Sequence, residues 1–187
     1  RVSRAAVDLP EPTRRIVRLP PSAEQAAQLA RIDRRQDATA ANVLARIVRQ
    51  QQVTAGFVVA PGEASAAAGD GEREEVLAPC YLVDPKVAWI EAYLVDVLPT
   101  EDTHVIVWTR FIPEIEALSH RLASKFPDTV ARIDGSVPDP ARQTIRRRFN
   151  DRADPLRVLV MNLQTGALGL DLPTADVLIY HSNTYTY

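Results

Sequence analysis

A single cysteine in 187 residues, Cys80, cannot close an intramolecular disulfide, and no CxxC or Cys/His spacing offers ligands to a metal. That scarcity points to a reducing, intracellular compartment. Long apolar runs are missing too: nowhere do 18 apolar residues follow one another, and the first residues lack the basic, apolar and small succession of a signal peptide. No membrane span is expected. Lysine is also rare, since among 22 basic residues only Lys86 and Lys125 are not arginine. Arginine's planar fork suits phosphate, although the many alanines make coding bias the main cause. A formal net charge of -2 excludes a protein that coats nucleic acid by bulk charge and leaves room for a local basic stripe.

Several chemistries are excluded by absence as well. No G-x-x-x-x-G-K-[ST] phosphate loop occurs, and no acidic metal-binding box follows a strand, so the parts that hold ATP and magnesium are lacking. No nucleophile elbow occurs, and His104, His120 and His181 lie in unrelated contexts. Each histidine is read as a surface or packing residue. Neither a catalytic residue nor a metal ligand is assigned.

What is present is enough for one well-cored domain plus an extension, and too little for two nucleotide-binding lobes. Residues 14–19 alternate as a short strand would; after Pro20-Pro21, Ser22-Ala-Glu-Gln25 reads as a capping box opening a helix to about Arg35. A second helix follows, with Val43, Leu44, Ile47 and Val48 on one face and Gly56 as its stop. Pro61 to Glu75 has no periodicity and little to bury, which predicts a mobile loop. The boundary between an N-terminal helical extension (1–77) and the core (78–187) is placed near residue 78.

Helix and strand alternate from Asp84-Pro85 onward. The pattern predicts a helix over Pro85–Leu98 burying Val87, Ile90, Leu94 and Val97, then a strand over Val105–Trp108 buried on both faces. Pro113 opens a helix with Ile115, Leu118 and Leu122 as its stripe, and a strand lies near Thr129–Ile133. Ser136 is expected to cap a helix beginning near Pro138 and reaching Phe149, with Asp139 as the reciprocal capping partner. Val158–Met161 and Val177–Tyr180 read as further buried strands. The fold class is therefore α/β, a mostly parallel sheet with helices on both faces, preceded by a helical extension.

Candidate binding residues are the strand ends. Thr109-Arg110 follows a strand at the carboxyl edge, where open α/β sheets bind ligands. Gly135-Ser136 joins a glycine to a hydroxyl at a helix start, a combination that suits phosphate. Gln164-Thr165-Gly166 offers an amide, a hydroxyl and flexible backbone, and Gly169-Leu170-Asp171 turns the chain toward the next element. Arg146-Arg147-Arg148 is less specific, because its members fan around a helix.

In order and spacing, Val105 to Arg110, Arg132 to Ser136, Arg142 with Phe149-Asn150, and Leu159 to Leu172 resemble the C-terminal RecA-like lobe of superfamily-two helicases. The Swi/Snf family of DNA-dependent ATPases is the nearest match, over residues 86–187. The resemblance implies that Thr109 and Arg110 (motif IV), Gly135 and Ser136 (motif IVa), and Gln164, Thr165 and Gly166 (motif V) lie against the DNA backbone. It implies further that Gly169 and Asp171 face the nucleotide. Ala167 stands where the family more often has glycine, Asp171 where it has asparagine, and Tyr185 where many members have tryptophan; Lys86 stands where a lysine opens the lobe.

So read, the chain is one motor lobe of an ATP-dependent translocase on double-stranded DNA. ATP and magnesium would be held mainly by an N-terminal ATPase lobe of the same parent protein, and the chain alone would be inactive. The alternatives are a non-catalytic DNA- or protein-binding module on the same scaffold, and a metabolic α/β enzyme with a chance match. In the family, the strand matched by Val177–Tyr180 leads into a motif VI helix closing over ATP. The reading frame past Tyr187 is accordingly expected to encode a Gln-x-x-x-Arg-x-x-Arg-like helix within roughly 15 residues, given usual connection lengths. Sequencing the parent gene checks this, and a stop codon there would favour the non-catalytic module.

Overall fold

The computed structural model describes residues 12–34, 40–61, 77–99, 102–162 and 171–183. Its central element is a four-stranded sheet of β3 (Val105–Thr109), β4 (Val130–Ile133), β5 (Val158–Asn162) and β6 (Val177–Tyr180), in the order β4-β5-β3-β6. Every pairing in it is parallel. Parallel neighbours require crossovers: α4 (Ile112–Lys125) lies between β3 and β4 and α5 (Asp139–Phe149) between β4 and β5, while α3 (Pro85–Val97) precedes β3 in the chain.

Alternation along the strands decides which helix goes where. Val105, Val107, Val158 and Val160 pack against Ile90 and Leu94 of α3 and Ile115, Leu118 and Leu122 of α4. Ile106, Ile133, Leu159 and Met161 point the other way and pack with Phe149 of α5 and Leu156. Helices thus cover both faces, as the sequence predicts. The exception is β6: Leu178 and Tyr180 are 52% and 57% exposed. This strand was expected to be buried, yet it is the outermost described strand and no described element covers its α5-side face.

The sequence reading also fails at three local points. Residues 14–19 form no strand, and Ile16 is exposed; alternation does not make a strand where no neighbour supplies a hydrogen-bonding ladder. The cap of α5 is Pro138, with no side-chain cap bond, so neither Ser136 nor Asp139 forms the predicted capping box. Helix α2 (Ala40–Thr54) does form, but Val43, Leu44, Ile47 and Val48 remain exposed. It is the end of the helix, at Val53 and Ala55, that is buried.

The extension contains more than helices. After α1 (Ala23–Asp33), whose Ser22–Gln25 capping box is present as predicted, and α2, strands β1 (Phe57–Pro61) and β2 (Leu77–Tyr81) pair antiparallel from Phe57↔Tyr81 to Pro61↔Leu77. Two five-residue segments that each contain a proline gave no strand signal. Pro61, read as the start of a loop, is the last residue of β1, and the boundary expected near 78 falls within β2. Positions 62–75 of that predicted mobile loop lie outside the described residues.

Extension and lobe share contacts. The Val83 N–H donates to the Glu24 carboxylate at 2.9 Å, and the Leu82 N–H to the Gly56 carbonyl at 2.8 Å. Phe57, 1% exposed, meets the Phe111 ring edge-on with centroids 5.5 Å apart. On the lobe's other flank, His104 is fully buried with its ring edge-on to Phe149, 5.1 Å away. Burial, seconded by Arg152, pushes its imidazole below the usual range, so it is a packing histidine that stays neutral.

Phe149 is the largest fully buried side chain between α5 and the sheet, at 0% exposed. Phe149→Ala should therefore destabilise the fold by about 3–5 kcal/mol. Urea unfolding followed by circular dichroism measures it, and a loss below about 1 kcal/mol, the size of a surface change, would mean that α5 does not close this face.

Candidate functional site

Parallel strands place all their carboxyl ends on one edge. From the register of the sheet, that edge presents, in spatial order, residues 134–136 after β4, Asn162 at the end of β5, Thr109-Arg110 at the end of β3, and His181-Ser182 after β6. Strands about 4.8 Å apart make this row about 14 Å long, the axial rise of about four nucleotides of one DNA strand. The described backbone-contact candidates, Thr109, Arg110, Gly135 and Ser136, lie along this row. Gln164, Thr165, Gly166 and Gly169 fall outside the described residues.

Thr109 does not face solvent. It is 0% exposed and its hydroxyl donates to the Met161 carbonyl at 3.0 Å, so it ties β3 to β5, and the contact role predicted for its side chain is corrected to a structural one. Arg110 is half-buried and held from all sides. Its N–H donates to Glu114 Oε2 (3.1 Å) and Ser182 Oγ (2.8 Å), and its carbonyl accepts from Asn162 Nδ2 (2.9 Å). The guanidinium lies 5.0 Å from the Phe111 ring centroid and donates through Nη1 to Gln51 Oε1 of α2.

Around β4 the geometry is different. The buried Asp134 carboxylate accepts the Ser136 N–H at 2.7 Å and the Ser136 hydroxyl, and it is held below the usual range against its own burial chiefly by these bonds. Ser136 is therefore the arm of an Asx turn and not a helix cap. Its side chain is nevertheless exposed, and a Cβ added at Gly135 would meet nothing within 4 Å, so the space above the turn is open. Arg142 closes the turn from α5, donating to the carbonyls of Asp134 (3.3 Å) and Gly135 (3.4 Å). Asp171 is exposed, and its carbonyl accepts from Asn150 Nδ2 at 3.0 Å.

A cluster of charges that the sequence did not reveal lies beneath Arg110. Glu114, 2% exposed, accepts from the N–H groups of Arg110 and Phe111, from Ser182 Oγ and from His181 Nδ1. The other imidazole nitrogen of His181 is 2.9 Å from Asp84 Oδ2, and Lys86 Nζ donates to the His181 carbonyl at 2.7 Å. Gly56 belongs to the same place: at its φ of +88° any other residue would be strained, and a Cβ there would lie 3.0 Å from Asp84 Oδ2 and press on that carboxylate. His181 is thus no bystander. Burial works against charging it, but Asp84 and Glu114 prevail and raise its pKa, while both carboxyls lie below their usual range despite burial.

Residues 86–186, more than half of the chain, match the family model described as helicase conserved C-terminal domain. The chain belongs to that family. Its fold matches the Sulfolobus solfataricus SWI2/SNF2 ATPase C-terminal domain with TM-score 0.60 and 16% identity, covering 87% of this chain and 68% of that one. It also matches the S. solfataricus SWI2/SNF2 ATPase core in complex with dsDNA, with TM-score 0.58 and 15% identity, over 87% of this chain and 33% of that one. Transcription termination factor 2 of Drosophila melanogaster is 30% identical over 90 residues, which are 48% of this chain and 8% of that protein. The resemblance read from the motifs is borne out, and the structural likeness reaches past the family match into the extension.

Within this helicase C-terminal domain the His181 cluster makes stability depend on pH in a definite direction. A histidine whose folded pKa exceeds 6.5 stabilises fully below that value, and the contribution is lost as pH rises through the folded pKa. The depressed Asp84 and Glu114 act at the other end, losing theirs as pH falls through their folded values. The urea midpoint should accordingly fall from pH 6.5 toward pH 9, and His181→Phe should flatten that decline whatever its own stability. An unchanged pH slope in the variant would show that His181 is not charged in the native state.

Proposed function

We propose that this chain is the C-terminal motor lobe of an ATP-dependent DNA translocase of the Swi/Snf type, one of two lobes that alternately grip the backbone of double-stranded DNA. The observation that carries this reading is the row of anion-suited groups on one sheet edge, with Arg110 fixed at main chain and side chain. A DNA complex of a fold relative supports it. Specificity for sequence is not expected, because hydroxyls, backbone and a single guanidinium address phosphates and not base edges.

ATP and magnesium would be held mainly by an N-terminal ATPase lobe, with Gly169 and Asp171 facing the nucleotide. Among the described residues no group of three or more His, Cys, Asp or Glu side chains could hold a metal ion. What this lobe contributes is grip and closure: binding of nucleotide between lobes and its loss after hydrolysis would move one grip relative to the other. The setting is intracellular, and no helix among the described residues is long and apolar enough to cross a membrane.

Two measurements test the reading together. The purified chain should show no ATP turnover, and DNA-stimulated turnover should appear once an N-terminal lobe is attached. In that complete motor, Thr165→Ala should weaken duplex binding by about 1 kcal/mol, equally on unrelated sequences. Turnover by the chain alone, or losses confined to one DNA sequence, would contradict it.

A further inference from the structure

Five arginines of the lobe, Arg121, Arg132, Arg142, Arg148 and Arg152, are paired with carboxylates. Arg110 is held differently. Among the described residues no carboxylate pairs with its guanidinium; the partner is the neutral amide oxygen of Gln51, which takes a hydrogen from Nη1. A carboxylate there would fix the side chain and cancel its charge, whereas an amide fixes it and leaves the charge available. The guanidinium has five N–H donors, so with Nη1 engaged, the Nη2 and Nε edge that can fork onto phosphate is still open.

We propose that Gln51 is a positioning residue for the DNA grip: α2 of the extension holds the Arg110 guanidinium in its phosphate-binding orientation against Phe111. The inference rests on the reading of Arg110 as a backbone contact, and it assigns the extension a part in that contact. The support is continuous from sequence to site. Val53, Ala55 and Phe57 at and after the end of α2 are buried, the Phe57 ring meets Phe111, and Phe111 underlies the guanidinium. The Gln51 backbone is fixed as well, its carbonyl accepting the Ala55 N–H at 2.9 Å. Gln51 therefore reaches Arg110 from a rigid turn. With the Arg110 main chain already fixed by Glu114, Ser182 and Asn162, the amide removes the remaining freedom, that of the long side chain.

Binding of this 187-residue chain to a fluorescent duplex, followed by anisotropy over a range of KCl concentrations, separates this inference from the reading beneath it. Arg110→Ala should lower the slope of log K against log salt by about 0.9, one phosphate contact. Gln51→Ala should keep that slope and weaken binding about three-fold, the cost of ordering one long side chain on binding instead of beforehand. In the Arg110→Ala background the same change should have no effect. Gln51→Glu, which keeps the contact but neutralises it, should lower the slope as Arg110→Ala does. Gln51→Ala binding as tightly as the parent or tighter, its loss persisting without Arg110, or Gln51→Glu retaining the full slope would each overturn the positioning role. If Arg110→Ala itself changes neither affinity nor slope, the grip at Arg110 fails and the positioning role fails with it.

Discussion

Buried between β3, β6 and the start of α4, the Glu114 carboxylate is the constraint on which this edge of the sheet depends. Its Oε2 accepts three donors, the N–H groups of Arg110 and Phe111 and the hydroxyl of Ser182, and its Oε1 meets His181. A carboxylate at 2% exposure is costly unless paired and fully hydrogen-bonded, and here both conditions hold. It closes the start of α4 as the third residue of the helix and joins the end of β6 to the end of β3. Removing one partner would strand the others in a buried site, so the chain leaves β3 in one conformation.

That fixed exit is what gives Arg110 a defined place. On the proposed reading, preorganisation matters for a chain with formal net charge -2, because it would not hold DNA by bulk attraction and would depend on a few contacts that are ready before binding. The extension takes part through Gln51, Gly56 and Phe57, which reach the same spot from the chain's other half. Its structural likeness to a SWI2/SNF2 ATPase C-terminal domain over 87% of the chain agrees with a lobe that includes these elements.

Period was the legible part of the sequence. Val105, Val107, Val158 and Val160 against Ile106, Leu159 and Met161 divide the strands between two faces, and the stripe of Ile115, Leu118 and Leu122 places α4. Motif order led to the family and to the carboxyl edge. Long-range polar contacts were not legible: Asp84, Glu114 and His181 are up to 97 residues apart, and no local pattern announces that they meet. Gln51 lay outside the apolar positions read for its helix and carried no signal of its own. Thr109 and Ser136 matched their motif positions, yet one hydroxyl serves the neighbouring strand and the other an Asx turn. The β1–β2 pair escaped because short strands containing proline give no alternation signal.

The central claim is that DNA lies along the carboxyl edge of this sheet. A basic rival exists on the same lobe, the open groove lined by Gln143, Thr144, Arg146 and Arg147 on α5. Backbone amide NMR of the chain titrated with a short duplex of arbitrary sequence distinguishes the two surfaces directly. The account predicts shifts at Arg110, Gly135, Ser136 and residues 164–166, with α5 between Gln143 and Arg147 unmoved. Shifts confined to α5, with the carboxyl edge silent, would contradict it.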